Sequence, residues 1–276
     1  MSQKKSDFLR HFYRDDNYQK PLPKKSENSP NLPIWNQEVE AKKLSRRTKL
    51  SLVAIFLCMP LVIYYGLKSG DRSYLKVSLL LIFLAMAPFL LIFEGRKPQA
   101  RELIIISVLI GLGVAGRGAF FMLPQFKPVA ALVIISAVSF GPEVGFLVGS
   151  GTALVSNIFF SQGPWTPWQM FAFGMIGFVA GVFYRCGLLR ANRLSLCLFG
   201  FFSIFLIYGL IMNPASLLMF TPVISKEALI AVFISGAPMD LIHAISTVIF
   251  LAVLAKPMLE KLQHIKIKYG LILGEE

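Results

Sequence analysis

The chain has 276 residues, 55% of them hydrophobic, and a formal net charge of +13. Its mean hydropathy of +0.63 and its apolar runs, several near the roughly 20 residues needed to cross a bilayer core, exclude an ordinary soluble domain. A transmembrane β-barrel is excluded because the runs are continuous rather than alternating, and a nucleic-acid partner because the basic residues flank those runs instead of forming one face.

Residues 1–47 are polar, of mixed charge, and contain Pro21, Pro23, Pro30 and Pro33. Such a stretch cannot bury a core and predicts a disordered cytoplasmic tail. The first apolar run begins only after this segment, so no cleaved signal peptide is expected. Eight spans are then predicted, at about 49–67, 75–93, 102–122, 128–141, 144–161, 168–184, 195–212 and 227–255. The fourth is short and pairs with the fifth as a tight hairpin around Gly141-Pro142-Glu143. The eighth is long and contains Pro238, which predicts a kink or an interfacial extension.

Basic residues cluster before the first span, between the second and third, between the sixth and seventh, and after the eighth. With eight spans these clusters share one side, which the positive-inside rule makes cytoplasmic, so both termini are expected there. The first two spans are rich in Leu and Ile, whereas later ones carry small residues four apart: Ala115/Ala119, Gly145/Gly149 and Gly177/Gly181. Small residues at that spacing let helix backbones approach closely in lipid. The expected organisation is an all-α integral membrane protein. It comprises a tail at 1–47, an added hairpin at 48–95, a six-span core at 96–260 and a cytoplasmic tail at 261–276.

Few residues offer chemistry. Arg117 lies in the outer half of the third span, where a charge is costly unless paired or wetted; it reads equally as a ligand contact or as snorkelling to the interface. Asp240 and His243 are three apart and share a helix face, either as a structural pair or as a functional one. The other spans hold no second carboxylate or histidine well inside, so no catalytic residues and no metal centre are expected. Asn157 and Gln169 suit hydrogen bonding to a ligand or a neighbouring helix. Trp165 and Trp168 flank Pro167 at the predicted outer surface, as an interfacial belt or as a lid over a ligand, with Gln162 and Thr166 adding polar contacts. Lys127 sits in another outer loop, and 213–225 is expected as a second flexible wall. Cys58, Cys186 and Cys197 have no metal-ligand spacing and read as small apolar residues. No nucleotide-binding or hydrolase motif is present.

Two longer motifs carry a resemblance. Arg117-Gly118-Ala119-Phe120-Phe121 leads into Pro124-Gln125-Phe126-Lys127-Pro128, and Gln162-Gly163-Pro164-Trp165-Thr166-Pro167-Trp168-Gln169-Met170 follows later. With the AxxxA pattern of Ala115 and Ala119, they resemble the substrate-binding S component of energy-coupling factor (ECF) vitamin transporters over about 100–260. The resemblance extends to a branch that includes cobalamin-type members. It implies a multi-pass, non-enzymatic cell-membrane protein without a cofactor, binding a vitamin-like molecule, cobalamin favoured. Its implied partners are a transmembrane T component and two ATPase subunits, with no nucleic acid. On that reading Arg117, Lys127, Asn157, Gln162, Trp165, Thr166 and Trp168 surround the ligand, and Gly111, Ala115 and Ala119 form a smooth strip against the T component. The rival readings are a proton-coupled secondary transporter built on Asp240 and His243 and, further off, an intramembrane enzyme.

Overall fold

The computed structural model describes residues 100–221 and 225–268, together with the isolated positions Val53 and Met86. The predicted tail and the first two spans otherwise lie outside the described residues.

Every regular element among the described residues is helical. The helices are α1 (Ala100–Ala119), α2 (Val129–Phe140), α3 (Pro142–Phe160), α4 (Thr166–Arg185), α5 (Arg193–Phe220) and α6 (Lys226–Lys268). All but α2 are long and apolar enough to cross a membrane, so the chain is a multi-pass membrane protein.

The short α2 organises the bundle. Its sequence, VAALVIISAVSF, is apolar on every side, and all twelve residues are buried. A helix hydrophobic all round belongs in the middle of a bundle, and α2 packs against all five other helices. Twelve residues rise only about 18 Å, well short of the roughly 30 Å bilayer core. At one end α2 is level with its neighbours, because Gly141 alone joins it to α3. Gly141 has φ 99°, which an L side chain rarely adopts, and Pro142 opens α3 where its missing N–H costs nothing. At the other end α2 falls short, and the segment 120–128 dips inward to reach it.

Backbone contact between α3 and α4 locks the bundle. A Cβ on Gly145 would lie 2.8 Å from the carbonyl oxygen of Gly177, and one on Gly181 would lie 2.5 Å from Pro142 Cα. The Gly145/Gly149 and Gly177/Gly181 pairs read from the sequence are thus the two faces of one crossing. At the hairpin end Arg185 lies 3.6 Å from the buried carboxylate of Glu143, and Lys266 donates to the Ser139 carbonyl.

Two boundaries depart from expectation. The stretch 213–225, expected as a flexible wall, is helical to Phe220. Pro214 removes one rung of that helix, but burial of Ala215 and Leu217 keeps the turn. Likewise α6 runs unbroken through Pro238 and Pro257 to Lys268, about 65 Å at 1.5 Å per residue. The tail expected from 261 therefore begins as its continuation.

Candidate ligand site

Because α2 is short, its first residue becomes a floor. Above Val129 lies a cavity of ≈ 80 Å3 whose walls come from α1, α3, α4, α5, α6 and the 120–128 segment. Arg117, Ser156 and Gln169 supply polar side chains from the helices, and Gln125 and Lys127 supply them from the segment above. Phe173, Tyr208 and His243 form a ring-lined side.

Arg117 turns inward and does not snorkel. Its Nη1 donates to Ser156 Oγ at 2.7 Å and to Asn157 Oδ1 at 2.6 Å. Asn157 is fully buried. Its Nδ2 donates to Thr166 Oγ1 at 3.0 Å and to Gln169 Oε1 at 2.9 Å. Thr166 in turn donates to Gln162 Oε1 at 2.8 Å. One amide therefore ties the charge on α1 to the start of α4, the arrangement that buried polar groups need to avoid a desolvation cost.

The 120–128 segment is pinned from α6. Phe120, Phe126 and Phe250 make a three-ring cluster with centroids 5.1–5.9 Å apart, and Ser246 donates to the Lys127 carbonyl at 3.1 Å. Gln125 takes the left-handed conformation, φ 54°, which turns the chain between its two prolines. Among the described residues Lys127 Nζ donates only to the Leu123 carbonyl, at 3.2 Å. Burial first, and then the Arg117 charge, lower the Lys127 pKa from its ordinary value.

The aromatic side is set by α5. The helix widens into a π turn at Ile204–Gly209, a feature frequent at functional sites, and Tyr208 lies within it. The Tyr208 and His243 rings meet edge to face at 4.7 Å, and Phe173 lies 5.0 Å from Tyr208 and 5.9 Å from His243. His243 Nδ1 is buried without a hydrogen-bond partner.

The expected site residues divide. Arg117 and Lys127 line the cavity, and Asn157 holds Arg117 from behind. Gln162 and Thr166 line a separate, more open recess of ≈ 400 Å3 beside Leu154 and Met170. Trp165 packs over Gly163. Trp168, expected at the outer surface, is 4% exposed and belongs to the hydrophobic core. Asp240 and His243 also part company: Asp240 accepts from Asn213 Nδ2 at 2.9 Å, whereas His243 faces the cavity. Gly111, Ala115 and Ala119 lie exposed on α1, and Gly111 has nothing within 4 Å of a built Cβ.

Reading the sequence alone missed Gln125, Ser156, Phe173 and Tyr208 as cavity residues. A lone tyrosine within the apolar run of α5 and a glutamine between two prolines were available signals. Phe173 offered none, being one of many phenylalanines on apolar helices. Among the described residues no group of three or more His, Cys, Asp or Glu side chains converges to hold a metal ion.

Comparison with known proteins converges on one family. The family model for the ECF-type riboflavin transporter S component matches residues 101–260. The chain is 32% identical over 102 residues to a UPF0397 protein of Vibrio atlanticus, covering 35% of this chain and 54% of that protein. It is 30% identical over 106 residues to UPF0397 proteins of Aliivibrio fischeri and Aliivibrio salmonicida, covering 37% of this chain and 56% of each relative. The chain thus spans about half the length of these curated relatives. No solved structure matches it.

Proposed function

The chain belongs to the family of ECF-type riboflavin transporter S components, and from that premise we propose that it is the substrate-binding subunit of a micronutrient importer. The observation that carries the proposal is the cavity over α2. A fully buried short helix leaves room at one end of the bundle, and all five other helices aim polar or aromatic side chains into that room. Pockets of this build, apolar rings with a few placed polar groups, suit small solutes.

The importer's energy would come from elsewhere. The sequence contains no nucleotide-binding motif, which fits association with a T component and two ATPase subunits. The exposed small-residue strip of Gly111, Ala115 and Ala119 is the proposed face for the T component. The chain is read as non-enzymatic, with both termini cytoplasmic and the cavity opening outward. That orientation puts Arg185, Arg190, Arg193 and the lysines late in α6 on the inner side.

The cavity volume of ≈ 80 Å3 favours a ligand far smaller than the cobalamin expected from the resemblance, since pockets enclosing drug-sized molecules measure about 300–1,000 Å3. Separation of Asp240 from His243 likewise removes support from a proton relay between them. Native mass spectrometry of the chain purified from its own membranes tests the importer reading. Associated ATPase and T subunits are expected. A chain that carries no such subunits and supports uptake alone, driven by a proton gradient, would overturn it.

A further inference from the structure

Among the described residues the cavity is lined by two cations and no acid. Arg117 and Lys127 both line it, and none of its lining residues is Asp or Glu. Among the described residues neither cation has a carboxylate partner: Arg117 bonds the neutral Ser156 and Asn157, and Lys127 bonds a backbone carbonyl. Arg117 uses a single nitrogen for both bonds, which leaves its Nε and Nη2 without a hydrogen-bond partner among the described residues. The nearby acid, Asp240, accepts from Asn213 and is not among the residues that line the cavity. Even with that charge counted, the site keeps a positive excess.

Two like charges facing one small space inside an apolar bundle are costly. Proteins normally relieve that cost with a carboxylate, and here a hydrogen-bonding framework of neutral groups has been built instead. Asn157, which accepts from Arg117, occupies the position where an aspartate would have neutralised it. The guanidinium is therefore fixed in place but still charged, the condition for charge-assisted bidentate recognition of an oxyanion. Beside it, the rings of Phe173, Tyr208 and His243 offer one apolar side.

Resting on the importer reading, we propose that this cavity selects a small anion carried on a planar ring, a carboxylate or phosphate held by Arg117 and Lys127 with the ring against Tyr208 and Phe173. The ligand supplies the counter-charge that the protein omits. A neutral molecule of the same shape leaves both cations desolvated and unpaired when it closes the site, and it is rejected for that reason.

Matched pairs of probes small enough for the cavity test this: nicotinate against nicotinamide, and benzoate against benzamide, each measured by calorimetry on the purified full chain in detergent. The anionic member is expected to bind about tenfold or more tighter in at least one pair. Lys127→Gln and Arg117→Gln should each erase most of that preference. Lys127→Gln loses only a bond to its own segment, so it carries the test if Arg117→Gln folds poorly. Equal or tighter binding of the neutral members, no binding of either anion, or a preference that survives Lys127→Gln would each overturn the proposal. Associated ATPase subunits found by mass spectrometry alongside any of those outcomes would leave the importer reading standing while removing the anion.

Discussion

Replacing Asn157 with leucine, which keeps the same branched shape but carries no polar atom, should separate the polar framework from the apolar packing around it. The side chain is fully buried and makes three bonds: one from the Arg117 guanidinium and two to Thr166 and Gln169. Neutral side-chain bonds between membrane helices are worth about 0.6 kcal/mol each. The charge-assisted bond contributes about 1.5–3 kcal/mol. Asn157→Leu is therefore expected to cost about 3–4 kcal/mol, because Arg117 keeps only Ser156 as a protein partner. Asn157→Asp provides the contrast. Its carboxylate accepts from Arg117 and pairs with it, while the Gln169 amide and the Thr166 hydroxyl can turn to donate. Stability should stay within about 1 kcal/mol of wild type, yet the neutralised arginine should bind an anionic ligand about tenfold more weakly. Unfolding in SDS–detergent mixed micelles, followed by tryptophan fluorescence, reads the first effect, and calorimetry reads the second. A loss below about 1 kcal/mol for Asn157→Leu would refute the claim that this amide organises the site.

Other expectations follow from the same structure. Gly145→Ala places a methyl 2.8 Å from the Gly177 carbonyl oxygen and should destabilise by about 1–3 kcal/mol in the same unfolding assay, whereas Gly111→Ala, with open space around it, should cost nothing and slightly favour the helix. Ala115→Trp should leave folding and ligand binding intact while abolishing uptake with the assembled transporter; loss of folding would make the α1 strip internal packing. The lowered pKa of Lys127 sets a pH dependence: only the protonated amine attracts an anion, so affinity falls as pH rises through that pKa, in a window below the ordinary lysine range of about 10.4. Arg117, His243 and Tyr208 share the cavity with Lys127, and Lys127→Arg, which does not titrate, should flatten the fall if Lys127 causes it. In whole cells an impermeant thiol reagent should label cysteines introduced at 162–164 and leave native Cys186 untouched; the reverse pattern would invert the orientation.

The membrane class, the apolar helices among the described residues and the close packing at the paired glycines were legible in the sequence because each rests on local chemistry. Apolar run length is set by bilayer thickness. Gly145, Gly149, Gly177 and Gly181 announce close packing wherever their partners lie. Arg117 and Lys127, which line the cavity, stood out for the same reason, since a charge in or beside a span needs an explanation. The wall around them was not legible. Gln125, Ser156, Phe173 and Tyr208 come from four separate segments and look ordinary along the chain. Trp168, by contrast, looked interfacial and is core, because its depth depends on how α4 seats against its neighbours. Asp240 and His243 share a helix face, yet Asn213 on α5 captures one and leaves the other to the cavity, a choice made between helices. What only the tertiary structure decided was the consequence of a short α2: a run of twelve residues, apolar but for Ser136 and Ser139, predicts a buried helix, but not that its missing turns become a cavity. That depends on the longer helices α3 and α4 rising past it, and on the phenylalanine cluster that folds 120–128 down over its end.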